Sequence, residues 1–161
     1  MSQLHEKIGQ ILSGDGWVYL KSIEQGAIQM SVVGKSGEWT FCVNALEEHR
    51  LVFFYSVAPI HVPADKRPKM AEYLMRVNRV VFLGHFVMDF DNGEIRFETV
   101  VRAEESRDLG AAVEAMMKTN IDEMDKFLPG ILRALLSDVT AAEALAEIVT
   151  GCPIDKRYMY N

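Results

Sequence analysis

Two runs of alternating apolar and polar residues, 86–90 and 95–99, face each other across Asp91-Asn92-Gly93-Glu94. A period of two marks a strand with one buried face. Asn and Gly both tolerate positive φ, so Asn-Gly between two such runs predicts a hairpin with a type I′ turn. A two-residue loop sets Phe90 against Ile95 and Met88 against Phe97 on one face, and Asp89 against Arg96 on the other. Apolar pairing and cross-strand charge agree with that register. An antiparallel sheet is therefore the element around which the rest of the chain must arrange itself.

More strands precede the hairpin. Residues 17–20 are short and rich in β-formers. Ile28, Met30 and Val32 alternate with Gln29 and Ser31, and Trp39, Phe41 and Val43 alternate with Thr40, Cys42 and Asn44, across a turn at Gly34-Lys35-Ser36-Gly37. Glu47-Glu48-His49 forms a polar tip. Residues 51–57 are apolar on both faces for most of their length, the pattern of a central strand or of one that meets a partner. Pro59 and Pro63 bracket an extended connector.

Helical spacing accounts for the remainder. Leu4, Ile8, Ile11 and Leu12 make one face of a first helix, stopped at Gly14-Asp15-Gly16. A second helix starts near residues 65–68 and ends by Gly84, with Met70, Leu74, Val77 and Val81 on one side and Lys69, Glu72, Arg76 and Arg79 on another. A long helix runs from about residue 108 towards 127. Pro129-Gly130 is expected to break or kink it before helical spacing resumes over 131–136. Thr140-Ala-Ala-Glu143 is a capping box that opens a last helix. The order is helix, four strands, helix, two strands, helices. That is α+β with a mostly antiparallel sheet, an N-terminal helix, a central amphipathic helix and C-terminal helices. At 161 residues the chain fits one domain, 1–161, with a helical extension over about 131–150 and a short tail at 151–161.

A net charge of −6 repels phosphate backbones and acidic bilayers, which argues against nucleic acid and membranes as partners. No apolar run approaches the roughly 18–20 residues of a membrane span, and the N-terminal residues hold charge within their apolar pattern. Cys42 and Cys152 form no Cys-x-x-Cys pair, the usage of a reducing compartment. A cytoplasmic protein is expected.

Reactive machinery is not legible. His5-Glu6 begins like His-Glu-x-x-His, but Gly9 stands where the second imidazole must be. His5, His49, His61 and His85 are scattered, so neither a metal site nor a cofactor is expected. The glycines match no phosphate loop, and no Gly-x-Ser-x-Gly elbow occurs. Glu47 and Glu48 read as a solvated tip. Cys42 with His49 lacks a third, orienting group. A non-enzyme is the expectation. The alternative is a hydrolase or small-ligand enzyme, which needs a cleft gathering Asn78, His85 and Cys42.

Three features keep binding in view. Val52 and Phe54 lie opposite Leu51, Phe53 and Tyr55; one face covers the core and the other also wants burial, by a dimer partner, by a client, or by the chain's own C-terminal helices. Lys69, Arg76 and Arg79 form a basic stripe that reads either an acidic partner or solvent. Asn78, within an apolar helical stretch, bonds a neighbouring backbone or a ligand. Val52, Phe54, Lys69, Arg76, Asn78 and Arg79 are thus the candidate partner-binding or dimer surface.

Phe54-Tyr-Ser-Val-Ala-Pro59, Val62-Pro63 with Arg67-Pro68, Asn78, Leu83-Gly-His-Phe86, Asp91-Asn-Gly-Glu-Ile-Arg96 and Met124-Asp-Lys-Phe-Leu-Pro-Gly130 together resemble the YbjN family, labelled bacterial sensory transduction regulators. The resemblance covers about residues 17–148. It implies a strongly twisted antiparallel sheet packed with helices, like that of type III secretion chaperones. Those chaperones are small, acidic, usually homodimeric, and bind extended client segments. Fold likeness does not by itself transfer client binding; with the binding features above, a homodimeric regulatory or chaperone-like module that binds a client or regulatory protein is the expectation. The helices after Pro129 are an addition that would cover part of such a surface.

Overall fold

The computed structural model describes residues 3–14, 20–21, 27–104 and 107–150. In chain order the elements are α1 (Gln3–Gly14), β1 (Leu20–Lys21), β2 (Ile28–Val33), β3 (Glu38–Leu46), β4 (Leu51–His61), α2 (Arg67–Val80), β5 (His85–Met88), β6 (Glu94–Arg102), α3 (Leu109–Leu136) and α4 (Ala141–Val149). The strands form one antiparallel sheet in the order β1-β2-β3-β4-β6-β5. This is the expected α+β arrangement. The early part of the expected first strand, residues 17–19, lies outside the described residues.

Alternation fixes which side chains enter the core. Ile28, Met30, Trp39, Phe41, Val43, Val52, Phe54, Ile95 and Phe97 are buried together with Leu4, Ile8 and Leu12 of α1, Met70, Tyr73 and Val77 of α2, and Val113, Met124 and Phe127 of α3. Each large apolar side chain buried there contributes roughly 1.5–3 kcal/mol. β4 is a central strand, paired along both of its edges, with β3 and with β6. Its ladder with β6 is irregular between Val57 and His61, around Pro59, a residue with no amide proton to donate.

The hairpin keeps its faces but not its expected register. Met88 pairs with Ile95, Phe86 with Phe97 and Val87 with Arg96. Pairing is thus displaced by two residues, and the expected Phe90–Ile95, Met88–Phe97 and Asp89–Arg96 pairs do not form. The loop has four residues, closed by the Asp89 amide donating to Glu94 O (2.9 Å) and the Gly93 amide to Asp89 O (2.7 Å). A type I′ turn needs positive φ at two successive residues. Here Gly93 has φ 80°, while Asn92 is not among the positive-φ residues and spends its side chain accepting from the Glu94 amide. A shift of two preserves side-chain parity, so the apolar face survives and Phe90 is left exposed.

The break expected in α3 at Pro129 does not occur. α3 runs unbroken through Pro129 as one helix of 28 residues. Proline lacks the amide that would bond the Asp125 carbonyl four residues earlier. The Ser36 hydroxyl in the β2–β3 turn takes that carbonyl instead, at 2.6 Å. α2 ends at Val80, before the expected limit, and α4 opens with the expected Thr140/Glu143 capping box.

Candidate functional site

Val52 and Phe54 are each 0% exposed and belong to the core under the helices. They line no surface, which corrects the expectation for those two residues. The alternate set on β4, Phe53, Tyr55 and Val57, is half-buried on the opposite face of the sheet. Registers extend that face into rows: Asn44–Phe53–Val100, Cys42–Tyr55–Glu98–His85 and Thr40–Val57–Arg96–Val87. Among the described residues Cys42 is the one fully buried apolar side chain that these rows contain.

The basic stripe resolves into separate tasks. Lys69 Nζ donates to Ser137 O (2.9 Å), and Lys66 Nζ donates to Leu135 O (3.0 Å). Both cations thereby satisfy carbonyls at the C-terminal end of α3, where the helix dipole favours positive charge. Arg76 pairs with Glu72 one turn away at 2.7 Å, and Arg79 is exposed. Asn78 does bond a neighbouring backbone. Its Nδ2 donates to Phe86 O (2.9 Å) and its Oδ1 accepts from the Phe86 amide (2.6 Å). It therefore occupies the outer hydrogen-bonding positions of β5 at that residue and blunts the sheet edge there.

Asn78, His85 and Cys42 are not brought together. Cys42 and His85 stand at opposite ends of one row, separated by β4 and β6, hence roughly 14 Å apart at ~4.8 Å per strand. Asn78 lies on α2. Burial pushes the Cys42 thiol above its ordinary value, against a smaller opposing effect of its hydrogen bond with Tyr55. Burial, reinforced by Cys42, pushes Tyr55 up to about 12. A protonated thiol beside a protonated phenol is poorly nucleophilic. Among the described residues no group of three or more His, Cys, Asp or Glu is placed to hold a metal ion. No helix there is long and apolar enough to cross a membrane.

A cleft of about 250 Å³ opens where β5 begins, lined chiefly by Phe53, Phe82, Leu83, Val100 and Met116, with His85 and Glu98 at 3.5 Å from each other on its rim. Phe82 is 75% and Leu83 55% exposed. Both fall within the span expected for the second helix, which instead ends at Val80.

The sequence reading passed over Asn120, which is wholly buried. Its Nδ2 lies within bonding distance of Thr99 Oγ1 (3.0 Å), Phe97 O (3.1 Å) and Phe54 O (3.2 Å), and its Oδ1 accepts from Ser56 Oγ (2.7 Å). Ser56 in turn accepts from Trp39 Nε1 (3.0 Å). The signal was available: Asn120 sits on the buried stripe with Val113, Met117, Met124 and Phe127, where a polar side chain requires a buried partner. The network ties α3 to β3, β4 and β6, so it organises the core rather than a surface.

The family model for YbjN, described as "putative bacterial sensory transduction regulator", matches residues 5–132. The chain belongs to the YbjN family. The crystal structure of YbjN, a putative transcription regulator from E. coli, has a TM-score of 0.58 to this chain at 10% identity, covering 76% of this chain and 87% of that one. ExsC in its complex with ExsE has a TM-score of 0.50 at 15% identity, covering 80% of this chain and 95% of that one. At such identities the likeness shows the fold, and the expected type III secretion chaperone-like architecture is the one found. No curated protein matches the sequence. α4 lies beyond the span matched by the YbjN model.

Proposed function

We propose that the chain is a non-enzymatic regulatory module that works by binding protein, as a homodimer that engages a client or regulatory partner. The observation that carries this reading is the uneven covering of the sheet. The buried residues of all four helices join the inward strand residues in one core, while Phe53, Tyr55, Val57 and Val87 stay half-buried on the other face and Phe82, Leu83 and Val100 are exposed beside them. Apolar surface in such concentration stabilises association when covered. Membership of the YbjN family and the chaperone-like fold support the same reading, as does the separation of Cys42 from His85 across β4 and β6, since the alternative reading needs both in one cleft. Light scattering on the purified chain at micromolar concentration, with affinity capture from its native cell read by mass spectrometry, tests it. A dimer with a reproducible captured partner is expected. A strict monomer that captures nothing overturns the reading.

A further inference from the structure

On the face of the sheet opposite the helix-packed core, two neighbouring rows cross β3, β4, β6 and β5. One is Cys42–Tyr55–Glu98–His85 and the other Thr40–Val57–Arg96–Val87. At β4 the rows present Tyr55 and Val57, both half-buried. At β6 they carry opposite charges. Glu98 and Arg96 are two residues apart on one strand, so both side chains point to this face.

Each charge has a neighbour in its own chain, and neither is spent on it. Arg96 Nε donates to Glu94 Oε1, and the guanidinium lies over the Tyr55 ring, 5.0 Å from its centroid. The two Nη groups take no part in that bond. Glu98 Oε2 stands 3.5 Å from His85 Nε2, a pair that is ionic only when the imidazole is protonated. The Arg96 side chain is 41% exposed and that of Glu98 30%.

Resting on the homodimer reading above, we propose that this face is the dimer interface and that a second copy of the chain covers it. The twofold axis lies between the two rows and runs parallel to them, across the strands. That rotation reverses strand direction and lays each row on the other row of the second copy. Arg96 of each copy meets Glu98 of the other, and Val57 of each meets Tyr55 of the other. Every contact of a twofold interface occurs twice. Moving the axis onto either row sets like charges face to face, so charge fixes the alignment.

The face is large enough for this. From β2 to β5 it is roughly 24 Å wide at ~4.8 Å per strand, and residues 51–57 are about 23 Å long at ~3.3 Å per residue, a plane of roughly 550 Å². Roughened by side chains, that plane approaches the ~800 Å² which each partner gives to a specific interface. Twisted sheets packed face to face cross at about 30°, which keeps the rows nearest the axis in closest contact.

The test reverses charge in the full chain and measures dimer dissociation by analytical ultracentrifugation, with circular dichroism confirming that each variant folds. Arg96→Glu alone and Glu98→Arg alone each set like charges at both contacts and should weaken the dimer by about a hundredfold. Mixed in equal amounts, the two variants form a heterodimer whose two contacts again join opposite charges, with affinity within about tenfold of wild type. That rescue separates an interface from damage to either fold. A wild-type dimer that both single variants leave unchanged, or weakened variants that mixing does not rescue, overturns the proposal while the homodimer reading stands. A wild type that is monomeric at micromolar concentration overturns both. A monomeric wild type whose captured partner is lost in Arg96→Glu gives the face to that partner and likewise overturns the proposal.

Discussion

The Ser36 hydroxyl donates to the main-chain carbonyl of Asp125 at 2.6 Å, in the middle of α3. In an uninterrupted helix that carbonyl takes the amide of residue 129, and residue 129 is a proline. A turn 89 residues away in sequence therefore completes the helix. The same turn is held in return, because Asp125 Oδ1 accepts from the Ser36 amide (2.7 Å) and Oδ2 from the Lys35 amide (3.0 Å).

Ser36→Ala should cost about 1 kcal/mol, since it leaves a part-buried carbonyl without its donor. In a Pro129→Ala background the helix supplies its own amide, and the same substitution should cost much less. Urea midpoints of the four proteins in that double-mutant cycle measure the coupling; additive effects would refute the compensation.

Asp125 also makes stability depend on pH. Burial raises its pKa, but the amide bonds from Ser36 and Lys35 outweigh that and hold the carboxyl below its ordinary value of 3.8. Its contribution is complete above the unfolded value and is lost as pH falls through the lower folded one. Wild type should lose more stability below about pH 4 than Asp125→Asn does. Thermal melts from pH 6 to pH 2.5 compare them.

Asn120→Leu removes the hub of a buried network and strands Ser56, Thr99 and the carbonyl groups beside them. A loss of roughly 2–4 kcal/mol is expected from several unsatisfied groups acting together. Asn120→Asp should be at least as damaging, because it buries a charge where Phe54 and Phe97 present carbonyls. Chemical denaturation reads both.

Gly130 faces the Tyr73 hydroxyl so closely that an added Cβ would sit 1.9 Å from it. Gly130→Ala should destabilise the protein by about 1–3 kcal/mol, although alanine favours a helix interior by about 1 kcal/mol over glycine. Tyr73→Phe removes the clashing oxygen, so the double variant should be more stable than the sum of the singles. Melting temperatures of the four proteins decide it.

Cys42 is 2% exposed and its thiol is held protonated by burial. Ellman's reagent at pH 8 should label it slowly in the folded chain and at the rate of a free thiol in denaturant. Cys152→Ser isolates the signal. Rapid labelling of the native protein would show a thiolate and revive nucleophilic chemistry at that position.

Much of the architecture was legible from local pattern. The order of elements, the inward sets of β2, β3 and β6 and the Thr140 capping box follow from periods of 2 and 3.6 and from backbone hydrogen-bonding demand, which act over a few residues; the inward face of β4, apolar on both sides, did not. Hairpin geometry was not. Asn-Gly suits a two-residue loop, but the observed four-residue loop is chosen from outside it: the Val62 amide donates to Gly93 O (2.9 Å) and Arg67 Nη1 to Phe90 O (2.7 Å). Of the two roles open to Asn78 in the sequence, the bond to a neighbouring backbone is the one observed. Lys69 was not read as a helix cap, since the carbonyl it meets belongs to residue 137.

Short-range periodicity thus determined which residues form helices and strands and which faces are apolar. Tertiary structure decided which apolar surface stays uncovered, how α3 survives its proline and where Lys69 spends its charge. Each of those depends on hydrogen bonds and packing between segments tens of residues apart, for which a local pattern carries no signal.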